Sequence, residues 1–226
     1  LPIVAIDGPA GAGKSSVARR LAEALSFILI DTGAMYRALA LAALRESVDW
    51  SDARKISELA HALIETHALA LERDADCGML VRLDGEDVSE LIRTPEMARG
   101  ASTVSAYPEV RRAFVELQRV AGREGGVVLE GRDIGTVVFP DAEVKFFLTA
   151  SVEARARRRF DELVARGTET SFGQTLEDVK RRDIQDETRA VAPLRQAEGA
   201  IVVDTTHLTF AETVASMLAH VKRVLG

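Results

Sequence analysis

Eight consecutive residues near the start of the sequence, Gly8-Pro9-Ala10-Gly11-Ala12-Gly13-Lys14-Ser15, satisfy the pattern G-x-x-x-x-G-K-[ST]. Each residue type in it answers a requirement of polyphosphate binding. Backbone N–H groups must wrap the anion closely, and Gly8, Gly11 and Gly13 remove the side chains that would obstruct them. Lys14 supplies a mobile positive charge for the β and γ phosphates. The hydroxyl of Ser15 or of Ser16 can ligate Mg²⁺, and the choice between them stays open. A helix that follows points its positive end at the anion.

A phosphate cradle needs cations on the opposite side if a phosphoryl group is to move, because negative charge spreads over the group in transit. Lysine occurs only at 14, 55, 145, 180 and 222, so the 29 basic residues are mostly arginine, the planar fork suited to phosphate. Arg37 follows the second apolar run. Arg132 and Asp133 sit at the end of another, where open α/β sheets bind ligands. Arg182, Asp186 and Arg189 recur at i, i+4 and i+7, and Arg155, Arg158 and Arg159 at i, i+3 and i+4. On spacing alone both arginine sets also describe solvated ion-pair faces. On its own, Tyr36 reads as a core or rim aromatic more readily than as a ligand contact. The histidines, His61, His67, His207 and His220, show no metal-ligand spacing.

The elements that must position these residues alternate. Apolar runs over 3–7, 27–31, 127–130, 144–149 and 200–204 predict strands, and their lack of polar alternation predicts a parallel sheet covered on both faces. Helical periodicity spans 15–25, 34–47, 55–66, 110–121, 152–166, 176–190 and 210–225. Between them, 68–73 and 79–83 predict short strands, with Asp84-Gly85 as a hairpin turn, giving a small antiparallel insertion. Pro95 and Pro108 suit first turns of helices. The polar stretch 167–174 is a candidate moving part, as is the insertion.

The chain has 226 residues, 47% hydrophobic and 28% charged, which is ordinary for a soluble globular domain. A net charge of −6 argues against nucleic-acid binding by bulk charge. The single cysteine, Cys77, rules out an internal disulfide and a cysteine zinc cage, and fits a reducing compartment. No apolar run is long enough to predict a membrane span, and 1–6 lacks the basic leader of a signal peptide. The sequence contains no asparagine, so the guanine-reading N-K-x-D motif is absent.

Taken together, Ile6-Asp7-Gly8 through Lys14, Asp31-Thr32-Gly33-Ala34-Met35-Tyr36-Arg37, Asp87-Val88-Ser89, Ile92-Arg93-Thr94, Gly131-Arg132-Asp133-Ile134-Gly135-Thr136-Val137-Val138-Phe139-Pro140-Asp141 and Arg189-Ala190-Val191-Ala192-Pro193-Leu194 resemble bacterial cytidylate kinase over nearly the whole chain. The resemblance implies a three-layer α/β phosphate-loop kinase fold. Its parts would be a five-stranded parallel sheet, a nucleoside-monophosphate-binding insertion over about 63–94 and a short lid over about 155–180, within one domain spanning 1–226. It implies transfer of the γ-phosphate of ATP to CMP or dCMP with Mg²⁺. Gly8 to Ser16 would cradle ATP, with Arg155 and Arg158 flanking the lid and helping to hold it. Thr32, Ser102, Arg111 and Asp133 match positions that read cytosine, and Arg37 and Arg132 those that grip the acceptor phosphate. Arg182, Asp186 and Arg189 match positions near the acceptor ribose and the moving phosphate, and Tyr36 joins the acceptor set. Lys14, Arg132, Asp133, Arg182 and Arg189 form the expected catalytic group. Departures from the family pattern are Ser15-Ser16 where many relatives have Gly-Thr, Thr32 where some have serine, which keeps the hydroxyl, and Glu130 where others have aspartate.

A cytoplasmic monomer is expected, with ATP and CMP or dCMP as partners and neither nucleic acid nor membrane. Two other readings remain at this point: a kinase of the same class acting on another acceptor such as UMP, and a nucleotide-binding regulator without catalysis.

Overall fold

The computed structural model describes residues 1–73 and 78–226. The central strand, β1 (Ile3–Asp7), carries β-branched residues on both faces. Its Val4 and Ile6 enter one apolar layer and Ala5 the other, the period-2 division that a doubly covered strand requires. The chain then runs α1 (Lys14–Leu25), β2 (Ile28–Asp31), α2 (Thr32–Arg45), α3 (Ala53–Glu65), β3 (Leu69–Arg73), β4 (Met79–Leu83), β5 (Glu86–Asp87), α4 (Pro95–Val104) and α5 (Pro108–Gly122). After these come β6 (Val127–Gly131), a π-helical turn (Ile134–Val138), β7 (Val144–Thr149), α6 (Val152–Ala165), α7 (Phe172–Thr188), β8 (Ile201–Asp204) and α8 (Phe210–Leu225).

The five-stranded sheet has the order β2-β6-β1-β7-β8 and is parallel throughout. Val17 and Leu21 of α1 and Met217 and Val221 of α8 cover one face; Met35 and Leu39 of α2 and Phe114 of α5 cover the other. The chain leaves β1 toward one edge and later fills the other, so the crevice at the carboxyl ends of β1 and β6 is where the order reverses. The antiparallel sheet β3-β4-β5 shares the α2 side of the core through Leu69, Val81 and Leu83. Its β4–β5 turn is Asp84-Gly85, both at positive φ (51° and 79°), the geometry that favoured these residue types. Cys77 lies outside the described residues.

Several element limits differ from the sequence expectation, each for a local reason. Helix α2 begins at Thr32 rather than 34, because the Asp31 carboxylate caps it by accepting from the Ala34 N–H. Helix α7 begins at Phe172 rather than 176, set by a capping box between Ser171 and Gln174. Residues 172–174 of the expected mobile stretch are thus the first turn of a helix. The π-helical turn after β6 has no precursor in the hydrophobic pattern.

Candidate active site

The loop from Gly8 to Gly13 joins β1 to α1. Gly8 is obligatory: a Cβ there would lie 1.9 Å from the Leu148 carbonyl oxygen of neighbouring β7. Gly13 caps α1 in the left-handed region at φ 90°. The loop carbonyls turn into the protein. Pro9 O accepts from Lys14 Nζ (2.8 Å), Ala10 O from Arg155 (3.1 Å) and Ala12 O from Thr205 Oγ1 (3.4 Å). In a trans peptide the following N–H points the opposite way, so the loop's N–H groups face outward from these anchors. Burial, and then the nearby Arg132 charge, pull Lys14 down to about 7.

Two carboxylates organise the ends of β1 and β6. Asp7 is buried and accepts from the N–H groups of Ile134 (2.8 Å) and Gly135 (2.7 Å), which ties the root of the phosphate loop to the turn carrying Arg132 and Asp133. Burial outweighs these bonds and pushes Asp7 up to about 6. Glu130 accepts from Ser15 Oγ (2.9 Å) through Oε2, while its buried Oε1 has no partner. Its backbone carbonyl accepts from Thr32 Oγ1 at 2.8 Å. Burial and the neighbouring Asp31 push Glu130 up to about 7. A hydroxyl beside a carboxylate with an unpartnered buried oxygen is a hard-oxygen donor set that fits Mg²⁺. Both Ser15 and Ser16 are exposed, and of the two it is Ser15 whose hydroxyl bonds Glu130.

Across the crevice the guanidinium groups converge. Arg132 Nε donates to Asp186 (2.8 Å), and Arg189 lies 3.7 Å from Asp186 and 3.6 Å from Asp133. Arg111 pairs with Asp133, buried, above the Tyr36 ring at 5.7 Å from its centroid. Tyr36 itself packs on Phe114. Arg37 pairs with Asp31 at 2.6 Å. Burial draws Asp31 and Asp186 upward, but Arg37 and Arg132 respectively outweigh it and hold both below the usual carboxylate range. Burial and the adjacent Arg132 pull Arg182 down to about 10. Arg37, Arg111 and Arg182 each bury an Nε with no acceptor, and Arg189 buries a terminal nitrogen likewise. Buried donors are normally satisfied, so four guanidinium nitrogens without a hydrogen-bond acceptor around one cleft point to an anionic ligand.

Lys14, Ser15, Thr32, Tyr36, Arg37, Arg111, Arg132, Asp133, Arg182, Asp186 and Arg189 are thus linked around this crevice by hydrogen bonds, ion pairs or shared charge interactions. Three expected residues are engaged with other side chains and carbonyls. Arg155 is buried with its guanidinium wholly engaged: Nε on Ala150 O, the two terminal nitrogens on Asp183 (2.9 and 2.6 Å), and one of those also on Ala10 O. Arg158 donates to the hydroxyl and carbonyl of Thr205. Ser102 bonds Gln185 of α7. The sequence reading assigned no part to Asp7, Asp183 or Gln185. Asp7 had a signal, an acid at a strand end directly before the phosphate loop; Gln185 completes the i, i+3, i+4, i+7 stripe begun by Arg182.

A phosphate loop facing clustered arginines across the switch point of a five-stranded parallel sheet defines a P-loop kinase. The family model for cytidylate kinase matches residues 4–223. The cytidylate kinase of Geobacter sp. (strain M21) is 53% identical over 99% of this chain and 94% of its own. That of Caldanaerobacter subterraneus subsp. tengcongensis is 50% identical over 97% of this chain and 94% of its own. The chain belongs to the cytidylate kinase family. An uncharacterized protein from Eubacterium ventriosum shares the fold at a TM-score of 0.50, with 12% identity over 100% of this chain and 99% of that one. Among the described residues no helix is long and apolar enough to cross a membrane.

Proposed function

We propose that the protein transfers the γ-phosphoryl group of ATP directly to CMP or dCMP, giving ADP and CDP or dCDP. The observation that carries this reading is the set of buried guanidinium nitrogens of Arg37, Arg111, Arg182 and Arg189 that have no hydrogen-bond acceptor. Such a site lowers the barrier by alignment and charge neutralisation and needs no covalent enzyme intermediate.

ATP lies with its phosphates along Gly8–Ser16. Lys14 leaves Pro9 O for the β and γ phosphates, and bound anion charge restores the protonated form that burial disfavours. Ser15 and Glu130 would hold Mg²⁺ entering with ATP, and the ion would supply charge neutralisation to the phosphates. Arg155 acts on ATP through the loop, by fixing the Ala10 carbonyl, and Arg158 flanks it at Thr205. Arg37 and Arg132 hold the acceptor phosphate, while Arg182 and Arg189 take up charge on the moving group. Asp133 accepts from the cytosine amino group and Arg111 donates to the base's acceptor edge, with Thr32 and Ser102 beside them. Uracil would set a carbonyl against Asp133, and a site built on buried hydrogen bonds rejects such a mismatch strongly. The α6–α7 hairpin serves as the lid and 63–94 as the acceptor-binding insertion; their closure keeps water from the γ-phosphate. The partners are the small-molecule nucleotides alone, and the acidic balance gives no electrostatic footprint for nucleic acid.

An ADP-release assay with Mg·ATP across CMP, dCMP, UMP and AMP tests the reading. CMP and dCMP should turn over fastest, and Asp133→Asn should narrow the CMP-to-UMP ratio by about tenfold or more. A protein inert toward CMP, or one that prefers UMP, contradicts it.

A further inference from the structure

The helices on the two sides of the cleft are joined by a reciprocal pair of hydrogen bonds 83 positions apart in sequence. Ser102 Oγ on α4 donates to Gln185 Oε1 on α7 at 3.0 Å, and Gln185 Nε2 donates back to the Ser102 carbonyl at 2.5 Å. An amide is the side chain that can do both, having an acceptor and donors on one planar group. Both residues are half-buried.

The bond does not end at Ser102. Ser105 Oγ donates to the same Ser102 carbonyl at 3.2 Å, so the last turn of α4 is held from two directions. The Ser105 carbonyl then accepts from Arg111 at 3.3 Å, and Arg111 pairs with Asp133. The path from Gln185 to the Arg111–Asp133 pair is continuous and consists of three short links. On α7, Gln185 shares a face with Arg182, Asp186 and Arg189, so the same helix that carries the phosphate-facing charges also sets the base-facing pair.

We infer that Gln185 is a positioning residue for the acceptor side: by clasping Ser102 it fixes the end of α4 and, through Ser105, the placement of Arg111 against Asp133. This rests on the reading of Arg111 and Asp133 as the acceptor-base pair. Gln185 touches neither phosphate loop nor moving phosphate, so its loss weakens acceptor binding without slowing the bound complex or changing ATP affinity.

The test is steady-state kinetics on Gln185→Ala and on Gln185→Met, which keeps the length and packing of the side chain but makes neither bond. Both should raise KM for CMP about five- to twentyfold, with kcat within threefold and KM for ATP within twofold. The thermal midpoint of Gln185→Met should stay within a few degrees of wild type. In a double-mutant cycle, Ser102→Ala should cost less in the Gln185→Met background than alone, because one bond is shared. An unchanged KM for CMP in Gln185→Met overturns the inference. So does an equal rise in both KM values, strict additivity with Ser102→Ala, or loss of the fold in the isosteric variant. A wild-type protein that turns over another acceptor but not CMP fails the functional reading first and takes this inference with it.

Discussion

Asp7 shows how much one side chain can hold at the root of such a site. It lies between the phosphate loop and the turn bearing Arg132 and Asp133, and its two accepted N–H bonds fix the spacing of donor and acceptor halves. The carboxylate is buried, with Asp133 adding repulsion, and so titrates near 6. An acid with a folded value above its unfolded one binds protons more tightly when folded. Its contribution to stability is therefore full below about pH 4 and is lost as pH rises through about 6. The span corresponds to roughly 3 kcal/mol. The acids held low, Asp31 and Asp186, act in the opposite sense, so the signature is a difference. Thermal midpoints of wild type and Asp7→Asn from pH 4 to 8 should show a gap that changes through the window 4–6. A gap independent of pH would mean that Asp7 does not titrate there.

At the scale of elements, the buried Arg155–Asp183 pair joins α6, α7 and the phosphate loop into one unit. Removing one partner strands a charge, so Asp183→Ala should cost about 3–5 kcal/mol, read by urea unfolding. It should also raise KM for ATP, since Ala10 loses its anchor. A loss under 1 kcal/mol would mean that the pair is not a strut. The hairpin end is fastened as well. Arg157 lies 4.3 Å from the centroid of the Phe172 ring, and Phe172 meets Phe160 edge-on. Arg166 donates to the Arg93 carbonyl across the cleft. These contacts make the hairpin one packed body, whereas the sequence reading gave 167–174 as a candidate moving part. The same elements explain what could be read in advance. The strands were legible because unbroken β-branched runs leave no other economical burial, and the phosphate loop because backbone sterics demand its glycines. The resemblance placed Arg155 among ATP contacts; helical spacing assigns it a face but cannot say whether that face meets solvent, ligand or Asp183. The start of α7 was missed because Ser171 and Gln174 act through a cap rather than through hydrophobic periodicity.

For the molecule as a whole, a net charge of −6 coexists with a cleft whose cations outnumber their local partners. In that crevice, between β1 and β6, buried charges act with little screening. The acidic exterior and cationic cleft fit a small polyanionic ligand better than an extended one. The direct measurement is phosphorus NMR of the purified protein with Mg·ATP and CMP, with Lys14→Met alongside. The account predicts that ADP and CDP appear in equal amounts with wild type, and that the folded variant slows this by at least about a hundredfold. Inorganic phosphate in place of CDP, or CDP formed equally fast by Lys14→Met, would contradict it.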